Sequence, residues 1–132
     1  MDFKIVISQE QAEKEVADLL DKKGIFPKRR EQLTNAIDAV VEGIVYGFVA
    51  IADDGTITQT LSAPFDSVTE IKYASRISPE TVNKAVANGK QDSAQAKMNT
   101  YIGLYTGLLS AQILKLEPSD KNIADSISLF FM

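Results

Sequence analysis

The apolar residues of this chain change their period twice, and that change restricts the fold more than any other feature of the sequence. Up to about residue 45 they recur at helical spacing, as Ala12, Val16, Leu19 and Leu20 and then as Leu33, Ile37, Val40, Val41 and Ile44. From Tyr46 the spacing falls to two, through "YGFVAIA" and "TITQTLS". Beyond Ser78 the helical spacing returns in Met98, Tyr101, Ile102, Tyr105, Leu108 and Leu109, with Ala94 behind them. Successive side chains turn by about 100° on a helix and alternate faces on a strand, so neither element can carry both patterns. The expected fold class is α+β and mostly helical, with a small antiparallel β-hairpin or three-stranded sheet between N-terminal and C-terminal helices.

Local signals punctuate that plan. "FKIVI" at residues 3–7 reads either as a short β-branched strand or as an extended arm. Ser8 with Gln11 three residues on makes a capping box, and Gly24 closes the helix that follows. Pro27 opens a second helix, which ends near Gly43 or Gly47. Asp54-Gly55 predicts a tight primed hairpin turn, and Pro64 separates that hairpin from a third strand in "SVTEIKYASRI". Ser78-Pro79-Glu80 starts a helix closed by Gly89. The segment from Met98 to Leu109 is the clearest amphipathic one. It either continues to Leu116 or breaks at Gly107, in which case Ser110 caps a one-turn helix. Pro118 and Ser119 then begin a last helix that ends on Phe130 and Phe131. The expected organisation is one domain over 1–132, with an N-terminal helical hairpin at 1–45, a small sheet at 46–76 and C-terminal helices at 77–132.

Composition removes whole classes of chemistry. The 132 residues contain no cysteine and no histidine, which excludes disulfides, thiolate nucleophiles, imidazole bases and zinc sites built on those ligands. A net charge of −4 argues against a surface that neutralises phosphates, so nucleic acid is not the expected partner. The longest weakly charged runs, 43–52 and 98–114, are too short and too interrupted for the roughly 20 apolar residues of a membrane span. "MDFKIVISQE" lacks the basic-then-apolar pattern of a secretory signal, and the expected location is a cytoplasm.

The remaining candidates each have a plain structural reading. Asp53 and Asp54 suit a turn better than a cation cage, because no further acid follows them. Lys22, Lys23, Lys28, Arg29 and Arg30 form a basic cluster that serves as a solvated loop, a phosphate track or a contact for an acidic protein. Gly103 and Gly107 make a G-x-x-x-G suited to a loop or a tight crossing, and Glu117 and Asp120 complement a helix dipole. No serine, lysine or aspartate comes with an activating partner, so no catalytic, cofactor or metal site is expected. The terminal "SISLFFM" is different. Leu129, Phe130, Phe131 and Met132 point about 100° apart and cannot share one narrow face, so some apolar surface should remain outside for another chain.

From Asp54 onward the sequence resembles the small tail-assembly chaperones of long-tailed bacteriophages. The likeness lies in a "DG" hairpin, an L-x-x-P step, an arginine near the end of a strand, and the closing "YIGLYTGLLSAQILKLEPSDKNIADSISLFF", where Thr106, Gly107, Leu108, Leu116, Asp120 and Phe130 carry the pattern. It covers residues 54–132 and departs at 81–95, which lacks the acid usual after the arginine strand. The resemblance implies a non-enzymatic protein of the host cytoplasm that binds an aggregation-prone tape-measure protein and helps tail-tube subunits polymerise. The contacts it points to are Leu129, Phe130, Phe131, Met132, Tyr101 and Tyr105. The alternative is a structural subunit of the virion, in the head, neck or capsid, using the same surfaces in a permanent assembly, with a homo-oligomer also possible.

Overall fold

In the computed structural model, which describes residues 3–88 and 93–132, the first helix begins at its capping residue. Ser8 Oγ accepts the Gln11 amide at 3.2 Å and α1 runs over Gln9–Lys22. Gly24 follows it with a φ of +71°. The expected second helix is two helices, α2 (Pro27–Gln32) and α3 (Thr34–Val45), broken at Leu33. Leu33 leaves helical geometry to bury its side chain, while the Thr34 hydroxyl donates to the Glu31 carbonyl at 2.9 Å, a local bond that competes with the helical ladder. At the far end Gly47 takes a φ of +81°. Its amide reaches the Ile44 carbonyl at 3.1 Å and the Phe48 amide reaches that of Gly43 at 2.8 Å, the two bonds of a Schellman cap.

Three strands follow, β1 (Val49–Ile51), β2 (Ile57–Phe65) and β3 (Val68–Tyr73), in one antiparallel sheet ordered β1-β2-β3. The primed turn expected at Asp54-Gly55 falls instead at the next reversal of the chain. Asp53, Asp54 and Gly55 form a three-residue loop in which only Gly55 has positive φ, so it is not a primed turn. The primed geometry occurs at Asp66 and Ser67, with φ of 45° and 65°, between the paired Phe65 and Val68. Pro64 does not end the hairpin. It lies inside β2, where the register to β3 is interrupted between Thr60 and Phe65, as a residue with no amide hydrogen to give must be placed. "FKIVI" belongs to no strand. It is the extended arm, tied to the end of α3 by the Val6 amide on the Val45 carbonyl at 2.8 Å.

The C-terminal part contains α4 (Pro79–Asn88), α5 (Ala94–Thr106), α6 (Ser110–Ile113) and α7 (Pro118–Ser128). Ser78 Oγ accepts the Thr81 amide at 3.3 Å to start α4. Its expected stop, Gly89, lies outside the described residues. α5 breaks at Gly107, which has a φ of +80°. Leu109 rather than Ser110 stands at the N-cap of α6, and its amide bonds Gln112 Oε1 at 2.9 Å. α5 is not one-sided as its spacing suggests. α4, α6, α7 and β3 all contact it, and from Met98 to Thr106 no residue is fully exposed.

One apolar cluster joins Val16 and Leu20 of α1, Val40 and Ile44 of α3, Ile57 and Ile71 of the sheet, Ile102 of α5 and Ile127 of α7. Across it runs a buried polar chain. Tyr73 OH donates to Gln59 Oε1 at 2.7 Å, and Gln59 Nε2 donates to the Asp120 carbonyl at 2.9 Å. The Asp120 carboxylate accepts the Ser62 amide at 2.9 Å, the Ser62 hydroxyl at 2.9 Å and the Ala63 amide at 3.1 Å. Ser62 and Ala63 are in the stretch of β2 that lies beyond its pairing with β1 and between its paired residues on β3, so a carboxylate from α7 supplies the acceptors that neither strand does.

Candidate functional site

The segment after α7 is packed against the protein rather than held away. α7 ends at Ser128, and the next residues turn tightly, with the Phe130 amide on the Ile127 carbonyl and the Phe131 amide on that of Ser128, both at 3.0 Å. Tight turning sends neighbouring side chains in different directions. Phe130 goes into the core and is 4% exposed. Leu129, Phe131 and Met132 remain half-buried. The Phe131 ring stacks on Tyr105 with centroids 3.9 Å apart, and Tyr105 stacks in turn on Tyr101 at 6.5 Å. Burial, and then the neighbouring Tyr101, raise the pKa of the Tyr105 phenol. Tyr101 is 9% exposed. Of the six residues expected at a partner surface, Leu129, Phe131, Met132 and Tyr105 therefore keep a surface, while Phe130 and Tyr101 are spent on the interior.

A cleft of about 360 Å³ opens beside this aromatic edge, between the end of α1, the β1–β2 turn and the segment after β3. Phe131 and Tyr105 line it together with Lys22, Lys23, Asp54 and Arg76. Lys23 Nζ lies 4.0 Å from the Phe131 ring centroid and donates to the Ser75 carbonyl at 3.3 Å. Burial, and secondarily the charge of Arg76, lower the Lys23 pKa to about 8. Lys22 Nζ donates to the Asp53 carbonyl at 2.6 Å. Asp54 Oδ1 accepts the Thr56 amide at 2.9 Å, which lowers the Asp54 pKa.

The basic run at 22–30 is thus divided by the fold. Lys22 and Lys23 face the cleft, Arg30 bonds the Ile25 carbonyl at 2.8 Å and pairs with Asp21, and Lys28 and Arg29 are exposed. Gly107 caps α5, while Gly103 faces the Leu108 carbonyl, which a Cβ there would meet at 3.2 Å.

Sequence reasoning missed a second apolar surface, a groove of about 610 Å³ between α3, α7 and β2. Phe3 walls it, packed on Tyr46 and Phe48 with centroid separations of 5.5 and 6.2 Å. The signal was present in the aromatic pair Tyr46 and Phe48 at the end of a helix, but nothing in the sequence showed where the arm would lie. Gln59 was also missed. Its parity with Ile57 and Leu61 placed a polar side chain on the buried face of β2.

Among the described residues no helix is long and apolar enough to cross a membrane, and no three acidic residues gather as a cation would require. The architecture is that of a small α+β protein with a three-stranded antiparallel sheet between two helical groups. No protein-family model matches the chain, and neither a curated protein nor a solved structure is significantly similar to it.

Proposed function

We propose that this chain is a non-enzymatic protein-binding module of the tail-assembly chaperone type, which holds an apolar, helical, aggregation-prone partner of tape-measure character until tail-tube subunits assemble around it in the host cytoplasm. The observation that carries this reading is the apolar surface that the fold keeps at its boundary around the C-terminal turn, where Phe131 stacks on Tyr105 and Leu129 and Met132 stay half-buried. An amphipathic helix laid on such an edge buries its own apolar face and gains about 25 cal/mol for each Å² removed from water. The α3/α7 groove offers the same kind of partner a second apolar surface.

The test is co-expression with a long, helical, aggregation-prone protein of tape-measure type. The wild type is expected to keep that protein in the soluble fraction. Met132→Asp and Phe131→Ser variants, checked for folding by circular dichroism, should lose most of this effect. Solubility independent of the chain, or untouched by both variants, refutes the reading. Recovery of the chain from purified particles at stoichiometric levels would select the structural-subunit alternative, since a chaperone departs.

A further inference from the structure

The cleft beside the C-terminal edge carries a charge opposite to that of the whole protein. Three cations, Lys22, Lys23 and Arg76, and one carboxylate, Asp54, line it, on a chain of net charge −4. Among the described residues the ion pairs join Arg30 to Asp21, Lys72 to Glu70, Lys84 to Glu80, Lys115 to Asp66 and Lys121 to Asp125. None of the three cleft cations belongs to one. Lys22 and Lys23 donate to main-chain carbonyls, which fix their positions without cancelling their charge. Asp54 accepts the Thr56 amide and keeps its charge, which acts on Lys22, so the excess positive charge of the cleft rests on Lys23 and Arg76. An anion entering the cleft would relieve the repulsion between Lys23 and Arg76 that helps to lower the Lys23 pKa. The walls it would meet on its other side are the rings of Phe131 and Tyr105.

We infer that this cleft is an acidic-residue subsite: the partner segment covering Phe131 and Tyr105 carries an aspartate or glutamate beside its apolar residues, and that carboxylate is received by Lys23 and Arg76. The inference rests on the reading of the C-terminal edge as a protein-binding surface and gives that surface a sequence preference. Charge complementarity selects the occupant. A purely apolar segment would leave the cations facing it without a partner, and a nucleic acid would bring its anions against a protein of the same overall sign.

Fluorescence anisotropy on the full chain tests this with two synthetic helical peptides sharing one apolar face, flanked by glutamate in one and by glutamine at the same positions in the other. The glutamate peptide is expected to bind about tenfold more tightly at low salt, two partly screened charge contacts together giving that factor. The preference should vanish at high salt and drop to about threefold in Arg76→Gln, whose exposed side chain makes no hydrogen bond or ion pair within the described fold. Lys23→Gln supplies an independent second variant. Equal affinities for the two peptides, or a preference undiminished in either variant, overturn the subsite and leave the apolar edge standing. If neither peptide binds, the edge falls with it. Inorganic phosphate is the control, followed through the Lys23 side-chain resonance. Binding by phosphate alone as tight as that of the glutamate peptide makes the cleft a free-anion site and overturns the peptide assignment.

Discussion

Replacing Asp120 with alanine should lower the melting temperature by about 11 °C, a figure that follows from its contacts. The carboxylate is 1% exposed and accepts the amides of Ser62 and Ala63 and the Ser62 hydroxyl at 2.9, 3.1 and 2.9 Å. A hydrogen bond to a charged group contributes about 1.5–3 kcal/mol net. The Ser62 hydroxyl can turn to water, so the two amides dominate and give about 3–6 kcal/mol. Ala63 is itself exposed, and water reaching its amide in the variant brings the loss to the lower end, about 3 kcal/mol. With an unfolding entropy of about 2.1 cal/mol/K per residue, a chain of 132 residues has about 0.28 kcal/mol/K, which converts that loss to the stated shift. Circular dichroism melts and urea titrations at neutral pH measure it. Asp120→Asn keeps one acceptor oxygen but turns an amide donor toward another donor, and should fall between alanine and wild type. A shift below about 3 °C for Asp120→Ala, or an asparagine variant as stable as wild type, would refute the claim that α7 holds the interrupted part of β2 through this carboxylate.

The neighbouring phenylalanines should separate cleanly in urea titrations: Phe130→Ala is expected to cost about 4 kcal/mol, and Phe131→Ala about 2 kcal/mol, from partial burial and one stacked ring. Gly43→Ala should destabilise by about 1 kcal/mol despite better helix propensity, because its Cβ would stand 2.7 Å from Val49 Cγ2. The same change in a Val49→Ala background should be neutral or stabilising, as a double-mutant cycle would record. Between pH 8 and 10.5 the unfolded chain holds a proton that Lys23 has shed in the fold, so the Lys23 contribution rises with pH there. Tyr73 acts in the opposite sense: burial first, then the charges of Asp125 and Asp120, push its pKa above the ordinary 10.0, so its contribution is complete below that pH and lost above it. The urea midpoint should climb from pH 8 relative to Lys23→Met, then fall above pH 10.0 in a way that Tyr73→Phe removes.

What the sequence determined by itself was whatever depends on residues close along the chain. The periods of the apolar positions define helix and strand, Ser8 and Ser78 mark helix starts, and Gly24, Gly47 and Gly107 mark ends, because caps and left-handed residues act within one turn of themselves. Tertiary structure decided the rest. Whether "FKIVI" pairs as a strand depended on a free sheet edge being within reach, and the carbonyl of Val45 was there instead. Pro64 reads locally as a break, yet β2 passes through it because Asp120, more than fifty residues away in sequence, accepts the amides left over. The C-terminal edge shows the same division. The 100° step along a helix already implied that Leu129, Phe130, Phe131 and Met132 could not all be buried, but only packing against the common core decided that Phe130 would be the one. Lys23 and Arg76 share a cleft with Phe131 for the same reason: they are distant along the chain, and only packing makes them neighbours.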